Sequence, residues 1–403
     1  MSDDPTTFTT TRTLGLYERT VQRTYGRIPI VFVRGQGARL WDADGKEYLD
    51  FVSGGRAGNL LGHCHPRVVA ALRRQLDTLM FVSNDFHHPW AARLGELLAE
   101  RSGGRKAFFC NSGAEASETA IKLARKWGHA NGGRYEIVTA EGSFHGRTLG
   151  ALSATGQPKF HQGFQPLVEG FRYCRWNDPD SLATAVTDRT AAIYLEPVQG
   201  ESGTYPASAE FMAAAARLAA ERGCLLMVDE VQTGFGRTGR FWAYEHYGIE
   251  PHVIATAKAL GGGLPIGACL ALPEYCALVP GDHGCTFGGN PFCAAAAVAA
   301  LEALDAEGGI ERAANLGERM LATMRGWQRR YPTIREVRGL GLMQAIEFFG
   351  DQATAVQKQL LEQGLLVHTV GASILRLLPP VCLTDAEADR GLALIEAAIA
   401  AAA

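Results

Sequence analysis

A chain of 403 residues with 47% hydrophobic and 20% charged side chains has ample apolar material for a core, which excludes a disordered protein. Its 39 Lys and Arg against 42 Asp and Glu leave a net charge of −3, so it has no bulk electrostatic reason to coat nucleic acid or an anionic membrane. The longest apolar run, Phe292–Leu301, is half of the roughly 20 residues that a membrane helix needs.

The polar opening Met1-Ser2-Asp3-Asp4-Pro5 lacks the apolar stretch of a signal peptide, so a cytoplasmic location is expected. Pro29–Arg34 and Arg39–Asp42 read as strands of a hairpin, with Asp44-Gly45 in the following turn. His63-Cys64-His65 looks like a metal site, but neighbours at i and i+2 with no second ligand pair are more often structural, and no metal is expected. Beyond it, short apolar runs alternate with helical patterns. Lys106–Cys110 is a strand before a helix over 115–128, and Glu136–Thr139 is another strand. Ala191–Glu196 is a strand followed by the Ala-rich helix Ala209–Glu221. Cys224–Asp229, Val253–Thr256 and Ile266–Leu272 complete the set. Strands apolar at every position, alternating with helices, argue for an α/β fold with a mostly parallel sheet buried on both faces.

From Pro291 the texture changes to an α+β pattern. Helices near 291–306 and 308–330 lead to strands Ile334–Arg338 and Leu342–Phe348. A helix near 352–363, a strand Ile374–Leu378 and a terminal helix Asp385–Ala402 follow. The expected division is an N-terminal segment 1–65, a large domain 66–300 and a small domain 301–403. The cysteine count is odd, 9, with no Cys-x-x-Cys, so reduced cysteines are expected, several acting as small hydrophobes.

Three features carry chemistry. Lys258 ends the apolar run Val253–Ala257 and precedes Leu260-Gly261-Gly262-Gly263. A lysine there is either a Schiff-base former with a lowered pKa or a strand-end side chain snorkelling to solvent. Asp229 ends a buried strand, where α/β proteins bind ligands. A cofactor with a pyridine nitrogen to keep protonated and an aldehyde to hold needs such a carboxylate and such a lysine. Asn111-Ser112-Gly113-Ala114-Glu115 follows a strand and opens a helix, which makes an anion site, a capping box, or both. Gly234-Phe235-Gly236-Arg237-Thr238-Gly239 fits the dinucleotide fingerprint in letters only. Four residues separate it from the strand, and no helix-opening signal follows.

The anion loop, the buried Asp and the late Lys together resemble the pyridoxal-phosphate enzymes of the aspartate-aminotransferase fold (fold type I). The resemblance runs from about Thr24 to about Thr384. It is most specific to the class III (ω-amino) aminotransferases and, within them, to the acetylornithine aminotransferase pattern. Phe144-His145-Gly146-Arg147-Thr148, Glu196-Pro197-Val198-Gln199-Gly200-Glu201 and Asp229-Glu230-Val231-Gln232-Thr233-Gly234 carry it. So do Thr286-Phe287-Gly288-Gly289-Asn290-Pro291, with Gly281–Gly284 before it, and Leu375-Arg376-Leu377-Leu378-Pro379-Pro380.

The resemblance implies a homodimer with shared active sites and a small domain built from both chain ends. It implies that Lys258 holds pyridoxal 5'-phosphate and moves the proton, and that Asp229 pairs with the pyridine nitrogen. Gln232 would bond the phenolic oxygen, Phe144 and Val231 would cover the two ring faces, and Ser112, Gly113 and Ala114 would bind the phosphate. Thr286 would reach the phosphate of the neighbouring subunit. Arg376 would take the carboxylate of glutamate, Glu201 would mask Arg376 for an ω-amine, and Arg147 would take the distant carboxylate. The implied reaction moves an amino group between glutamate/2-oxoglutarate and N2-acetylornithine/N-acetylglutamate 5-semialdehyde, in arginine biosynthesis. Relatives acting on succinyldiaminopimelate, acetyl-lysine, ornithine or 4-aminobutyrate stay open, as does a cofactor-binding protein without turnover. The chain departs from the pattern at Ser117, Ser202, Cys285, Gly54–Asn59 and Asp85–His88. The last two segments are expected at the ω-end of the substrate site.

Overall fold

The computed structural model describes residues 9–402, so the polar stretch Met1–Pro5 lies outside the described residues. Three strands, β1 (Phe32–Gln36), β2 (Arg39–Asp42) and β3 (Glu47–Asp50), form an antiparallel meander. The turn before β3 is closed by Asp42, whose Oδ1 accepts the N–H of Asp44 at 3.0 Å and of Lys46 at 2.8 Å. The first strand begins at Phe32 rather than Pro29, since proline brings no N–H to a ladder.

The next strands are β4 (Lys106–Cys110), β5 (Glu136–Ala140), β6 (Phe171–Cys174) and β7 (Thr190–Leu195). A short ribbon of β8 (Val198–Gln199) and β9 (Tyr205–Pro206) follows, then β10 (Leu225–Asp229), β11 (Val253–Thr256) and β12 (Gly267–Ala271). All but the ribbon join one 7-stranded sheet in the order β4-β12-β11-β10-β7-β5-β6. The pairs from β11 through β6 are parallel, whereas β12 runs antiparallel to both neighbours. The sheet is therefore mostly parallel, with one reversed strand. The reversal follows from the Gly-rich link between β11 and β12, which is too short to hold a crossover helix.

Every residue of β5, β7, β10, β11 and β12 is buried, because both faces of the sheet are covered. Leu225 and Met227 face a cluster with Ala116 and Ala120 of the helix Gly113–Ala130. Leu226 and Val228 face the opposite cluster, with Phe211 and Trp242. That is the period of two expected of a strand.

Past the mostly buried helix Pro291–Ala306 and the helix Gly309–Arg330 come β13 (Ile334–Leu340) and β14 (Met343–Phe348). They join β16 (His368–Val370) and β17 (Ile374–Leu377) in a second sheet of order β13-β14-β17-β16, and all three pairings are antiparallel. Between them β15 (Leu365–Leu366) leaves to pair in parallel with β3, so strands from the two ends of the chain share one sheet. The helices Pro66–Leu76 and Pro89–Glu100 are absent from the sequence reading, although each carries a proline in its first turn, a usable start signal. All nine cysteines are free.

Candidate active site

The chemistry gathers where the parallel strands end. Asn111–Ala114 follow β4, Phe144 follows β5, Glu196 follows β7, Asp229 ends β10, and Lys258 stands just past β11. Around them lies a cavity of about 620 Å³. Carboxyl ends of parallel strands are the usual place for a ligand in such sheets.

Asp229 is 5% exposed and accepts three hydrogen bonds. Its Oδ2 accepts from His145 Nδ1 at 2.8 Å and Tyr194 Oη at 3.3 Å, and its Oδ1 accepts from the N–H of Val231 at 3.0 Å. His145 stacks on Tyr194 with ring centroids 4.2 Å apart, and Ser117 Oγ lies 2.9 Å from the same phenol. Burial, then the charge of Asp229, pushes the Tyr194 hydroxyl well above its ordinary range, so it stays protonated and donates. Ser117 thus steadies the phenol that donates to Asp229.

Lys258 has a φ of +48°, a conformation few non-glycine residues adopt, and it lines the cavity with most of its surface covered. Burial pushes its ammonium pKa down against the opposing pull of Glu201 and Asp229. Glu196, buried beside them, accepts the N–H of Phe144 at 2.9 Å and of Gly200 at 3.4 Å. Burial and the neighbouring Asp229 push its acid well up, so it favours the protonated form.

At the mouth of the helix Gly113–Ala130, Ser112 is the N-cap and its Oγ accepts the N–H of Glu115 at 3.2 Å. Glu115 takes the N–H of Asn111 at 2.6 Å, not that of Ser112, so the capping box is incomplete. The N–H groups of Gly113 and Ala114 remain at the helix start beside the cavity. A Cβ on Gly113 would lie 2.6 Å from Val231 Cγ1, so only glycine lets the helix start sit against the loop after β10.

Glu201 is the hub of the opposite wall. Its Oε1 accepts from Arg376 Nη1 at 2.8 Å and Gln232 Nε2 at 3.2 Å, and its Oε2 is paired with Arg56. Burial works to raise this acid, but Arg376, Arg56 and Lys258 together outweigh it and hold it at about 2. Arg376 is fully buried and reaches the cavity through Glu201. Arg147 lies exposed at the rim, 3.9 Å over the ring of Phe160, and makes no ion pair among the described residues.

Of the sequence-predicted site residues, the cavity brings together Ser112, Gly113, Ala114, Phe144, Arg147, Glu201, Asp229, Val231, Gln232 and Lys258. Thr286 lies elsewhere, lining a separate hollow with His283 and Cys285. Asp85–His88 does not line this chain's own cavity. Its His88 instead pairs with the carbonyl of Gly289 at 2.9 Å. The Gly234–Gly239 run opens no helix and is a buried turn, with Gly239 tight against Ala314. It carries the fully buried Arg237 to Ser53 Oγ at 2.9 Å and to the carbonyl of Pro379. His63 and His65 pair with Asp50 and Glu307, and no metal-holding group occurs among the described residues. Sequence reasoning gave no role to Glu196, His145 or Arg56. Glu196 carried a signal, since like Asp229 it follows an apolar strand.

The family model "Aminotransferase class-III" matches residues 20–399. The acetylornithine aminotransferase of Caldanaerobacter subterraneus is 45% identical over 375 residues, covering 93% of this chain and 95% of that protein. The crystal structure of N-acetylornithine aminotransferase from Stenotrophomonas maltophilia is 36% identical, with a TM-score of 0.82 over 96% of this chain and 98% of that one. The ornithine aminotransferase of Toxoplasma gondii, crystallised with PLP at partial occupancy in its active site, is 33% identical with a TM-score of 0.94. It matches over 98% of this chain and 94% of its own.

Proposed function

The chain belongs to the class III aminotransferases, and from that premise we propose that it exchanges an amino group between glutamate/2-oxoglutarate and N2-acetylornithine/N-acetylglutamate 5-semialdehyde. It is a transaminase of a pyridoxal-phosphate-dependent family. The residues present fit that cofactor: a helix start offers N–H donors, a strand end offers a buried carboxylate, and a lysine with a lowered pKa lines the same cavity. Among the described residues, buried Gln232 Oε1 and His145 Nε2 also lack hydrogen-bond partners.

Pyridoxal phosphate, when bound, supplies an electrophilic aldehyde and a protonated pyridine ring that takes up the electron pair released at the substrate carbon. Lys258 would hold the aldehyde through its amine and carry the proton to and from the substrate carbon. Its lowered pKa favours the free amine that both tasks need. Asp229 would hold the pyridine proton, with His145 and Tyr194 keeping the carboxylate in place. Ser112, Gly113 and Ala114 would receive the phosphate, and Phe144 and Val231 would cover the ring. Thr286 of the partner subunit would complete the phosphate site in a homodimer. A cytoplasmic place in arginine biosynthesis goes with this substrate pair. No helix among the described residues is long and apolar enough to cross a membrane.

The observation that carries the substrate reading is the pair Arg376–Glu201 at 2.8 Å. A buried guanidinium covered by a movable carboxylate lets one site meet two unlike partners. Glutamate brings a carboxylate that takes the place of Glu201 on Arg376. The ω-amine brings only CH₂ there, and Glu201 stays to keep the guanidinium paired. Arg147 then holds the distant carboxylate. Glu201→Ala should cut kcat/KM for acetylornithine about ten- to a few-hundred-fold and leave glutamate little changed, since a buried unpaired charge costs a few kcal/mol. Single-turnover spectroscopy of each half-reaction measures this, and equal slowing of both defeats the reading.

A further inference from the structure

We infer that Arg56 is a positioning residue for substrate exchange, holding Glu201 whenever a substrate carboxylate displaces that side chain from Arg376. The inference rests on the reading of Glu201 and Arg376 given above. Glu201 is gripped on both oxygens, Oε1 by Arg376 and Gln232, and Oε2 by Arg56. The three charged partners differ in freedom. The side chain of Arg376 is 0% exposed, that of Glu201 12% and that of Arg56 55%. Arg376 is therefore fixed, and Arg56 is a long side chain with room to follow its partner.

Were Arg376 the sole cation on Glu201, turning the carboxylate away would leave a nearly buried charge unpaired, and such a charge is strongly unfavourable. With Arg56 on the second oxygen, the carboxylate keeps a counterion through the exchange. The exchange then swaps one carboxylate for another on Arg376 and strips neither of its partner. His368 Nδ1 lies 3.4 Å from Arg376; burial, then Arg376 and Arg56, holds it at about 4, so it stays neutral and does not compete for Glu201.

The backbone sets Arg56 in this place. Ser53, Gly54, Gly55 and Ala57 all have positive φ, a turn in which the two glycines carry no strain. The loop is lashed on both sides. Asp50 Oδ2 accepts the N–H of Gly54 at 2.7 Å, and Ser53 Oγ donates to the carbonyl of Leu378 at 2.7 Å. Arg237 donates to Ser53 and also to Pro379, just past the strand that carries Arg376. Two arginines far apart in sequence are thereby held in one frame around one carboxylate.

The test uses the holoenzyme and follows each half-reaction in single turnover, with glutamate and with N2-acetylornithine as amino donors. Arg56→Met should lower kcat/KM for glutamate about three- to tenfold more than for acetylornithine, the size of a partly exposed pair, with the loss mainly in KM. Arg56→Lys should restore most of it. In a Glu201→Ala background, Arg56→Met should lose its selectivity, because there is no carboxylate left to hold. Equal losses in both half-reactions, or a selective loss that persists without Glu201, would overturn the role of Arg56. Glu201→Ala alone separates the two ideas. If it unbalances the half-reactions while Arg56→Met does not, only the role of Arg56 fails; if it slows both alike, the masking of Arg376 fails first.

Discussion

An ammonium beneath a cavity and between acids is held by two opposing effects. Burial favours the neutral amine, and Glu201 and Asp229 favour the cation. At Lys258 burial wins, which suits a group that must attack an aldehyde and then carry a proton. Borohydride treatment of the holoenzyme followed by peptide mapping should leave the cofactor's mass on Lys258. Lys258→Ala should lower transamination about 10²- to 10⁴-fold or more. A label on any of the other lysines, of 7 in the chain, would sink the assignment. Lys258 and Asp229 stood out in sequence because each charge ends a mostly apolar run, although sequence left open whether Lys258 turned inward or snorkelled to solvent. Arg56 was not. Its partner Glu201 lies in another segment, and nothing in Gly54-Gly55-Arg56 says which carboxylate it meets.

At the scale of elements, the site depends on how closely a helix start can approach a strand end. The helix Gly113–Ala130 and the loop after β10 meet at Gly113 and Val231, with space for hydrogen and none for carbon. Gly113→Ala would favour the helix on propensity alone, yet its Cβ would press on a β-branched side chain with little rotamer freedom. Overpacking of this kind costs about 1–3 kcal/mol. Because Val231 also lines the cavity, much of that cost should fall on binding, raising Kd for pyridoxal phosphate about tenfold or more. Adding Val231→Ala should return much of the affinity. Spectroscopic titration of the cofactor reads both effects, and an unchanged Kd in Gly113→Ala would remove the contact as a determinant. The helix itself was legible from Ser112 and Glu115, and the β10 strand from its apolar run. Their approach was not, because it depends on a tertiary contact. The reversed β12 was missed for a related reason: an apolar run shows burial on both faces but carries no direction.

For the whole molecule, the wall that holds Glu201 and His368 is assembled from both chain ends, and its charges are set by burial together. This gives a pH signature. His368, with an ordinary value of 6.5, is held at about 4 by burial, then by Arg376 and Arg56. Its folded form binds fewer protons than the unfolded chain between those values. The stability it contributes is present above 6.5 and lost as pH falls toward 4. Glu230 is the mirror case. Burial raises it from 4.5 to about 7, against the hydrogen bonds from Thr233 and the N–H of Tyr244. Its contribution is present below 4.5 and lost as pH rises toward 7. The two slopes oppose each other across the same acid window, so wild-type stability hides both. Single substitutions should uncover them. Relative to wild type, His368→Gln should gain stability as pH falls from 6.5 to 4, and Glu230→Gln should lose it. Each change should accumulate to at most about 3.5 kcal/mol, at roughly 1.4 kcal/mol per pH unit. Urea unfolding of the holoenzyme at several pH values in that range measures the differences. Parallel curves for wild type and His368→Gln would mean that His368 titrates normally in the folded protein. The wall around Arg376 would then be wetter, and Glu201 less dependent on its two arginines, than the packing of β16 and β17 implies.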